Sequence, residues 1–594
     1  MPRLLLGFLG GLLCAFAANE EGAAVFQKNC AICHKPAAEN RTPPPEALKR
    51  LTNQAIVNAL ETGVMKAQGS TLTAAERRAV ADFLVPRETG ASVGTAQANA
   101  CEAGAKPLAN LNGWVGWSGS LENSRFQSGK AAGLSAADIP NLKLKWAFGF
   151  ADASSVFGQP AEAGGRLFFG SGNGTVYSLD ASTGCVYWTF KAQVVVRTPI
   201  TLGRGKDGNF VAYFGDGAAN VYAVDAQTGQ QLWKTKIEEH KLAGITGGLQ
   251  LYGGRVFVGV RSGIEEMMAA QTKYACCTFR GSVAALDAET GKQVWKTYTI
   301  PDPPTVVSKS SVGTDRYGPS GAGVWSAPTI DVKRKVLYVG TGNNYSDPPT
   351  KYGDAILAFD LETGSLKWSK QMNEDVWNFS CSQQVKANCP EKPDRDTDIG
   401  TSPILHKLPN GKEVLLFGQK SGFVRAIDPD KRGELVWEKQ IGKGGSLGGV
   451  MWGLAADREQ VYVPLSDVGE PTPGGLFAFQ IATGEQVWHA KPVEPGCKGK
   501  PGCSTAQMAP ASAIEGVVFS GSLDGHLRAY AAVDGKVVWD YDTLRDFETV
   551  NGVKAHGGSL NATGPVIADG MLFVNSGYSQ LTGMGGNVLL AFTK

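Results

Sequence analysis

Two groups of residues carry the clearest chemistry. In "NCAICHK", Cys30, Cys33 and His34 form C-x-x-C-H. This is the attachment pattern of a c-type haem: the two thiols add to the vinyl groups and the histidine ligates iron. A redox dithiol or half of a zinc site would call for a βαβ pattern or a second C-x-x-C, and neither follows. Met65, the one methionine between this motif and the repeats further along, offers a sixth iron ligand. It falls in a loop between two expected helices, about Gln54 to Thr62 and about Thr73 to Leu84. Thr73 with Glu76 three residues on reads as a capping box. With both axial positions filled, the iron is set for electron transfer and not for oxygen chemistry. The second group is "YACCTF", where Cys276 and Cys277 are neighbours. Neighbouring Cα atoms lie about 3.8 Å apart across a trans peptide, closer than the ~4.4–6.8 Å of ordinary disulfides. Two free buried thiols and a tight disulfide ring are both open on this evidence.

Compartment bears on that choice. "MPRLLLGFLGGLLCAFAANE" has a positive Arg3, an apolar run from Leu4 to Phe16 and a small-residue cleavage site at Ala15 to Ala17. It reads as a signal peptide over residues 1–17, too short to span a membrane, so the mature chain is expected to be periplasmic or secreted. Of eleven cysteines, Cys14 falls within the leader. Cys30 and Cys33 belong to the haem motif. The other eight fall into Cys276–Cys277, Cys381–Cys389, Cys497–Cys503 and, by elimination, Cys101–Cys185. An even count at short spacings in an oxidising compartment favours disulfides, the adjacent pair included. The near-balanced charge, +2 over 594 residues, gives no sign of nucleic-acid binding or of a polybasic membrane patch.

The elements that must position these groups are two domains. Residues 18–88 are expected to form a small all-α cytochrome c domain. A Gly/Ala/Thr/Gln-rich linker follows over 89–112. Beyond it the chain repeats. "GTVYSLDASTGCVYW" ends at Trp188 and "ANVYAVDAQTGQQLW" at Trp233. "GSVAALDAETGKQVW" ends at Trp295 and "DAILAFDLETGSLKW" at Trp368. Further copies end at Trp437, Trp488 and Trp539. Each is an alternating strand, a D-x-x-T-G type turn and a second strand ending in Trp, spaced for a four-stranded propeller blade. Seven copies are complete. "GNVLLAF" (Gly586 to Phe592) and "LKLKWAF" (Leu142 to Phe148) are the halves of an eighth. The expected fold is an eight-bladed all-β propeller over 113–594, closed by pairing of its ends. The tryptophans read as packing between blades.

The repeats, the adjacent cysteines and the haem motif together resemble quinohaemoprotein alcohol dehydrogenases that use pyrroloquinoline quinone (PQQ). A haem domain at the N-terminus is most similar to the polyvinyl-alcohol-oxidising members. Scaffold propellers of outer-membrane assembly share the Trp-docked repeats but not the haem motif or the paired cysteines. The resemblance implies PQQ, haem c and Ca²⁺ as cofactors. "RSGIEE" matches the family's S-G-A-E turn and implies Glu265 as a calcium ligand, with Ser262 and Gly263 near a quinone carboxylate. "YVGTGNN" implies Asn343 as a second calcium ligand, and carboxylate and amide oxygens suit a hard cation. "GVWSAP" implies Trp325 stacked under the quinone. "FGQKSGF" implies Lys420 at the quinone oxygens. Arg197 in "VVRTPI" and Thr246 in "AGITGG" are implied contacts. The Cys276–Cys277 ring is implied to pack on the quinone face opposite the Trp, although here it follows Glu265 by eleven residues where the methanol-oxidising relatives place it a blade earlier.

The relatives carry their catalytic Asp directly after a Trp. This chain reads "EDVWNFSC", with Asn378 there, and an amide is no general base. Asp375 in the same loop, and Asp396 or Asp398 in "DRDTDIG", remain as bases. Each reads equally as a loop acid or turn cap. The implied function is oxidation of secondary alcohol groups, with polyvinyl alcohol as the expected substrate. The hydroxyl proton goes to an Asp and hydride to the quinone. Electrons leave singly through the haem to a soluble acceptor such as another cytochrome c. A PQQ dehydrogenase of small alcohols or sugars, and a non-catalytic propeller fused to a redox cytochrome, are the alternatives. The loops "PDPPTVVSKSSVGTDRYGPSG" and "VEPGCKGKPGCSTAQ" suit a shaped rim above the quinone.

Overall fold

The computed structural model describes residues 20–34, 45–49, 53–61, 65–85, 99–102, 107–151, 153–579 and 582–594. The expected leader over 1–17 and much of the linker lie outside these residues.

Eight sheets form eight blades. Blade 1 runs through Ala161–Ala163, Arg166–Gly170, Thr175–Asp180 and Val186–Lys191. Blades 2 to 7 follow with their inner strands at Thr201–Arg204, Gln250–Tyr252, Thr329–Asp331, Ile404–Lys407, Ala455–Ala456 and Ser512–Ile514. Blade 8 joins the two ends of the propeller. Val566–Ala568, Met571–Ser576 and Val588–Thr593 come from the C-terminus, and Lys143–Gly149 pairs antiparallel with Val588–Thr593 as the outer strand. The predicted closure is therefore present, and no blade is left with an unpaired flank where the chain ends meet.

The D-x-x-T-G repeat is explained by blade packing. In blade 2, Asp225 Oδ1 accepts from the Gln227 and Thr228 amides and the Thr228 hydroxyl at 2.8–3.0 Å. Gly229 then turns with φ +76°, and a Cβ there would lie 2.7 Å from Trp188 Cδ2 of blade 1. A glycine satisfies both demands. Trp188 Nε1 donates to Ala226 O at 3.0 Å. Trp146, Trp233, Trp295, Trp437, Trp488 and Trp539 donate across their junctions in the same way, at 2.8–3.2 Å. Each of these seven tryptophans is a packing element, with its N–H satisfied by the next blade.

One segment has no counterpart in the repeats. From 113 to 133 the chain visits all eight blades. Gly113 and Trp114 pair with Ala163 and Glu162 of blade 1. Val115 O accepts from Leu202 N of blade 2, and Asn123 Oδ1 from Gln250 Nε2 of blade 3. Leu121, Glu122, Ser124 and Arg125 carbonyls accept from Ile330, Leu405, Ala456 and Ala513 of blades 4 to 7, and Ala131 O from Asp569 N of blade 8. Phe126–Gln127 adds a short parallel strand to blade 7. Just before it, Cys101 is bonded to Cys185, and the 99–101 backbone bonds Val186. The C-terminal part of the expected linker is thus stapled to blade 1.

In the N-terminal region, residues 20–29, Asn53–Glu61 and Ala74–Leu84 are helical, matching the two expected helices. Thr73 and Glu76 form the anticipated capping box. Phe26, Ile56, Val57, Leu60, Val80, Ala81 and Leu84 bury one apolar cluster, with Cys30 and Met65 packed against it.

Candidate active site

Near the blade axis a pocket is lined by Trp117, Phe157, Gln159, Arg197, Thr246, Trp325, Ser326, Gly400 and Trp452, among others. Trp325 forms one wall. A Cβ on Gly400 would lie 1.9 Å from Trp325 Cη2, so a glycine at 400 is what lets the indole lie there. Trp452 meets Trp325 edge-on, with ring centroids 5.0 Å apart. Thr246 Oγ1 donates to Trp325 O at 3.4 Å.

Three cations gather around this wall. Lys420 Nζ stands 5.4 Å from the Trp325 ring centroid and donates to Asp396 Oδ1 (2.7 Å) and Asp398 Oδ2 (2.8 Å). Asp398 Oδ1 also accepts from Asn343 N at 2.8 Å. Gly342 separates Asp398 from the Trp325 indole nitrogen: a Cβ there would be 2.8 Å from Asp398 Oδ1 and 3.4 Å from Trp325 Nε1. On another side, Arg197 lies 4.7 Å from the Trp452 ring and donates to the Tyr578 hydroxyl at 2.9 Å. Arg261 is its neighbour, and burial together with the Arg197 charge holds the Arg261 guanidinium down at about 10. Among the described residues neither arginine makes an ion pair with an acid.

Asp375 stands behind Asp396 and Asp398. Thr397 N and Oγ1 donate to Asp375 Oδ2 at 3.1 and 3.3 Å, and Thr397 Oγ1 to Asp354 Oδ2 at 2.9 Å. Asp354 and Asp375 are fully buried, and one Oδ1 of each accepts no hydrogen bond. Burial and its like-charged neighbours push Asp354 well up. Burial, with Asp396 and Asp398 adding, pushes Asp375 up to about 7. Burial and mutual repulsion favour the protonated form of both carboxyls. Asn378 faces elsewhere: Nδ2 donates to Tyr345 O and Asn388 O, and Oδ1 accepts from Ser380 N, all at 2.7–2.8 Å. It is a buried cap of the short helix Phe379–Ser382.

Ser262 caps the helix Gly263–Met268, accepting from Glu265 N and donating to Leu242 O. Glu265 accepts at Oε1 from the Tyr274 hydroxyl and from the Thr278 amide and hydroxyl, and at Oε2 from Phe279 N. It thereby clamps the loop of the adjacent cysteines. Cys276 and Cys277 are joined to each other, as are Cys381–Cys389 and Cys497–Cys503. The adjacent pair is buried in the core of blades 2 and 3, close to Phe279 and Tyr345, and is not among the residues lining the cavity. In the N-terminal region, Cys30, Cys33 and His34 occupy the turn after the first helix. Cys30 is half-buried, Cys33 exposed and His34 buried.

The structure thus gathers Arg197, Thr246, Trp325, Lys420, Asp396, Asp398 and Asn343 at one place. It sets Asp375 behind them and leaves Asn378 apart. Arg261, Trp452, Trp117 and Asp354 were not singled out from the sequence. Arg261 directly precedes the S-G turn, and that adjacency was its only sequence signal.

The cavity fits an anionic aromatic cofactor. It has an indole wall and the half-buried Arg197 in its lining, with Arg261 close by, and among the described residues neither guanidinium makes an ion pair. It also has two buried polar atoms in its lining, Trp117 Nε1 and Ser326 Oγ, that find no partner among the described residues. For a hard cation, Asn343 keeps its side-chain carbonyl oxygen clear of hydrogen bonds, since only its Nδ2 is engaged, with Trp377 O. Glu265 Oε2 accepts a single bond, which leaves a lone pair for a metal. These oxygen donors fit calcium in kind.

A propeller of this build, with this cavity and a C-x-x-C-H region ahead of it, defines a quinoprotein dehydrogenase with its own haem. Residues 253–388 match the family described as PQQ, glucose/ethanol/alcohol dehydrogenase, beta-propeller domain. Residues 17–84 match cytochrome C oxidase, cbb3-type, subunit III. The Trp-docked repeats also match outer membrane protein assembly factor BamB over 108–264, 420–550 and 472–592. Two polyvinylalcohol dehydrogenases are similar over nearly the whole chain. That of a Pseudomonas species is 39% identical, covering 96% of this chain and 93% of the relative. That of Sphingopyxis sp. (strain 113P3) is 38% identical, covering 96% and 92%. The quinohaemoprotein alcohol dehydrogenase ADHIIG of Pseudomonas putida HK5 shares the fold, with a TM-score of 0.59 at 18% identity over 81% of this chain and 80% of that one. The chain belongs to the polyvinylalcohol dehydrogenase family, enzymes that oxidise alcohols with PQQ and pass the electrons to a covalently held haem.

Proposed function

We propose that this chain is an exported enzyme that oxidises the secondary hydroxyls of polyvinyl alcohol. Its leader is residues 1–17, its all-α cytochrome c domain 18–88, its linker 89–112 and its propeller 113–594. The observation that carries the reading is the meeting of Trp325, Lys420 and Asp398 beside the pocket, with Arg197 and Arg261 in no ion pair among the described residues.

When bound, the quinone supplies a two-electron acceptor and calcium a Lewis acid, while the haem carries electrons away singly. The protein's part is positional and acid–base. Trp325 and Trp452 exclude water and fix the cofactor plane. Arg197 and Arg261, with Thr246 and the Ser262–Gly263 turn near them, hold the carboxylates. Glu265 and Asn343 hold the metal. Lys420 sets its ammonium against Asp396 and Asp398 inside the protein, and Asp398, beside the Trp325 indole, takes the hydroxyl proton. Asp375, behind Thr397, keeps its own proton and receives none directly from substrate. Asn378 acts as a cap. The Cys276–Cys277 ring supports the cofactor site through the loop that Glu265 clamps. Cys30 and Cys33 attach the haem, and His34 and Met65 ligate its iron. An external cytochrome c accepts the electrons.

Support for the polymer comes from the two relatives and from the rim. The hairpin Thr305–Lys309 with Asp315–Gly318 stands in solvent along its whole first strand, and disulfides brace the 381–389 and 497–503 loops. Among the described residues no helix is long and apolar enough to cross a membrane. The test is reconstitution of the apo-protein with PQQ and Ca²⁺, reading haem reduction, followed by kcat/KM for polyvinyl alcohol, 2-propanol, ethanol and glucose. Polyvinyl alcohol is expected to give the largest value. A preference for ethanol or glucose removes the polymer assignment, and no haem reduction by any alcohol removes the enzyme.

A further inference from the structure

Arg125 lies on the segment that visits every blade, and it is fully buried. Its guanidinium donates only to neutral acceptors: Nε to Ala511 O (2.7 Å), Nη1 to Trp117 O (2.6 Å) and Gln159 Oε1 (2.9 Å), and Nη2 to Ser512 Oγ (2.8 Å). It packs on the Trp117 ring, 4.5 Å from the centroid, and 5.3 Å from that of Trp114. Among the described residues no acid pairs with it, and burial alone lowers it to about 9. A buried cation with no counter-charge is costly. Two of its acceptors, Trp117 and Gln159, line the cavity. Trp117 is 8% exposed, and its indole N–H finds no acceptor among the described residues.

We infer that the 113–127 segment builds the floor of the quinone site. Trp117 Nε1–H donates to the bound quinone, and Arg125 beneath it supplies the charge that balances the cofactor's negative carboxylates and its reduced form. Arg125 is a positioning residue that acts through Trp117 and Gln159. The inference rests on the cofactor reading above and goes beyond it, because neither residue belongs to a repeat and neither was implied by the resemblance.

The floor has a separate physical signature. A cation near a group that gains negative charge on reduction favours the reduced state, so removing it lowers the potential. A lost hydrogen bond weakens binding with little change in local charge.

The experiment is calorimetric titration of PQQ into the Ca²⁺-loaded apo-enzyme, with redox titration of the bound quinone absorbance. Trp117→Phe keeps the ring and is expected to raise the PQQ Kd about tenfold. Arg125→Gln is expected to raise the Kd by at least as much and to lower the quinone potential, while Arg125→Lys restores the potential. If Arg125→Gln does not fold, Gln159→Glu is read in its place. It sets a carboxylate against Arg125 Nη1 and should lower the potential without emptying the space. Wild-type Kd and potential in Trp117→Phe together with Arg125→Gln or Gln159→Glu overturn the inference. Failure of the wild-type chain to bind PQQ removes the cofactor reading, and this inference with it.

Discussion

Thr397 separates two pairs of buried aspartates that behave in opposite ways. Asp396 and Asp398, on either side of it in sequence, both accept from Lys420. Asp354 and Asp375 both accept from the Thr397 hydroxyl and, among the described residues, make no ion pair. All four are at most 5% exposed. An ammonium between two carboxylates compensates their charge. Without one, burial and mutual repulsion force the second pair to keep a proton. Residue type and burial are the same in the two pairs, so the neighbouring charge is what sets them apart.

The comparison is most strongly broken by removing the cation. Lys420→Met leaves Asp396 and Asp398 buried without the ammonium that both accept from. A loss of about 3–5 kcal/mol of stability is expected, together with loss of activity. Chemical denaturation of the apo-protein reads the first and haem reduction by alcohol the second. An unchanged denaturation midpoint would show that water, not Lys420, compensates the pair. Next in size is Asp398→Asn. As the base beside the Trp325 indole, Asp398 is expected to contribute about 10²–10⁴-fold to kcat. Asp396→Asn, on the far side of Lys420, should cost much less. Equal losses in the two variants would place the base elsewhere.

How much of this was legible in the sequence depends on the range of the forces involved. The blades were legible because each D-x-x-T-G turn and its Trp is a local unit repeated along the chain. Pairing of the ends followed from two half-units, 142–148 and 586–592, that each lacked a partner. The capping box at Thr73 and Glu76 is local in the same sense. Trp325 and Lys420 were legible through family motifs that sit at fixed points of the blades. Asp354 was not, because "YGDAILAF" reads as an ordinary strand entry and its partners Asp375 and Thr397 lie 21 and 43 residues away. Arg125 was hidden for the same reason: "NSRFQS" looks like a surface loop until the ring closes around it. Glu265 carries a family signature, yet the structure also commits it to the 274–279 loop. A motif can mark a position without revealing how many tasks the side chain has there.

The protonated pair makes a third prediction, one of pH. In the native protein Asp375 keeps its proton up to about 7 and Asp354 is held well above the usual carboxylate range, while in the unfolded chain both acids ionise at about 4. Between those values the native state binds more protons than the unfolded state, so this pair's contribution is fully present below about pH 4 and is lost as pH rises towards about 7. Asp354→Asn replaces a like charge by an amide that can donate to Asp375. Asp375 should then ionise at lower pH, and the fall in Tm between pH 5 and 7 should become shallower than in the wild-type protein. A parallel Tm profile would mean that Asp354 does not help to hold Asp375 protonated.

The smallest effect expected is that of Thr397→Val, and it sharpens the comparison most finely. The hydroxyl can point its one proton at only one of Asp354 Oδ2 and Asp375 Oδ2 at a time, although both lie within reach, at 2.9 and 3.3 Å. The backbone amide of Thr397, which holds Asp375 at 3.1 Å, survives the substitution. The variant therefore loses one side-chain hydrogen bond and keeps the fold of the 396–398 loop. About 1–2 kcal/mol of destabilisation is expected. Its pH dependence matters more than its size. The hydroxyl stabilises whichever carboxylate is ionised, so removing it pushes the pair's proton affinity further up, and the loss should be greater at pH 8 than at pH 5. The hydroxyl's acceptors are Asp354 and Asp375 and not Asp398, so kcat for the alcohol should stay within about twofold of wild type. A large fall in kcat at unchanged stability would instead couple the two aspartate pairs, and proton release from Asp398 would then run through Thr397 to the pair behind it.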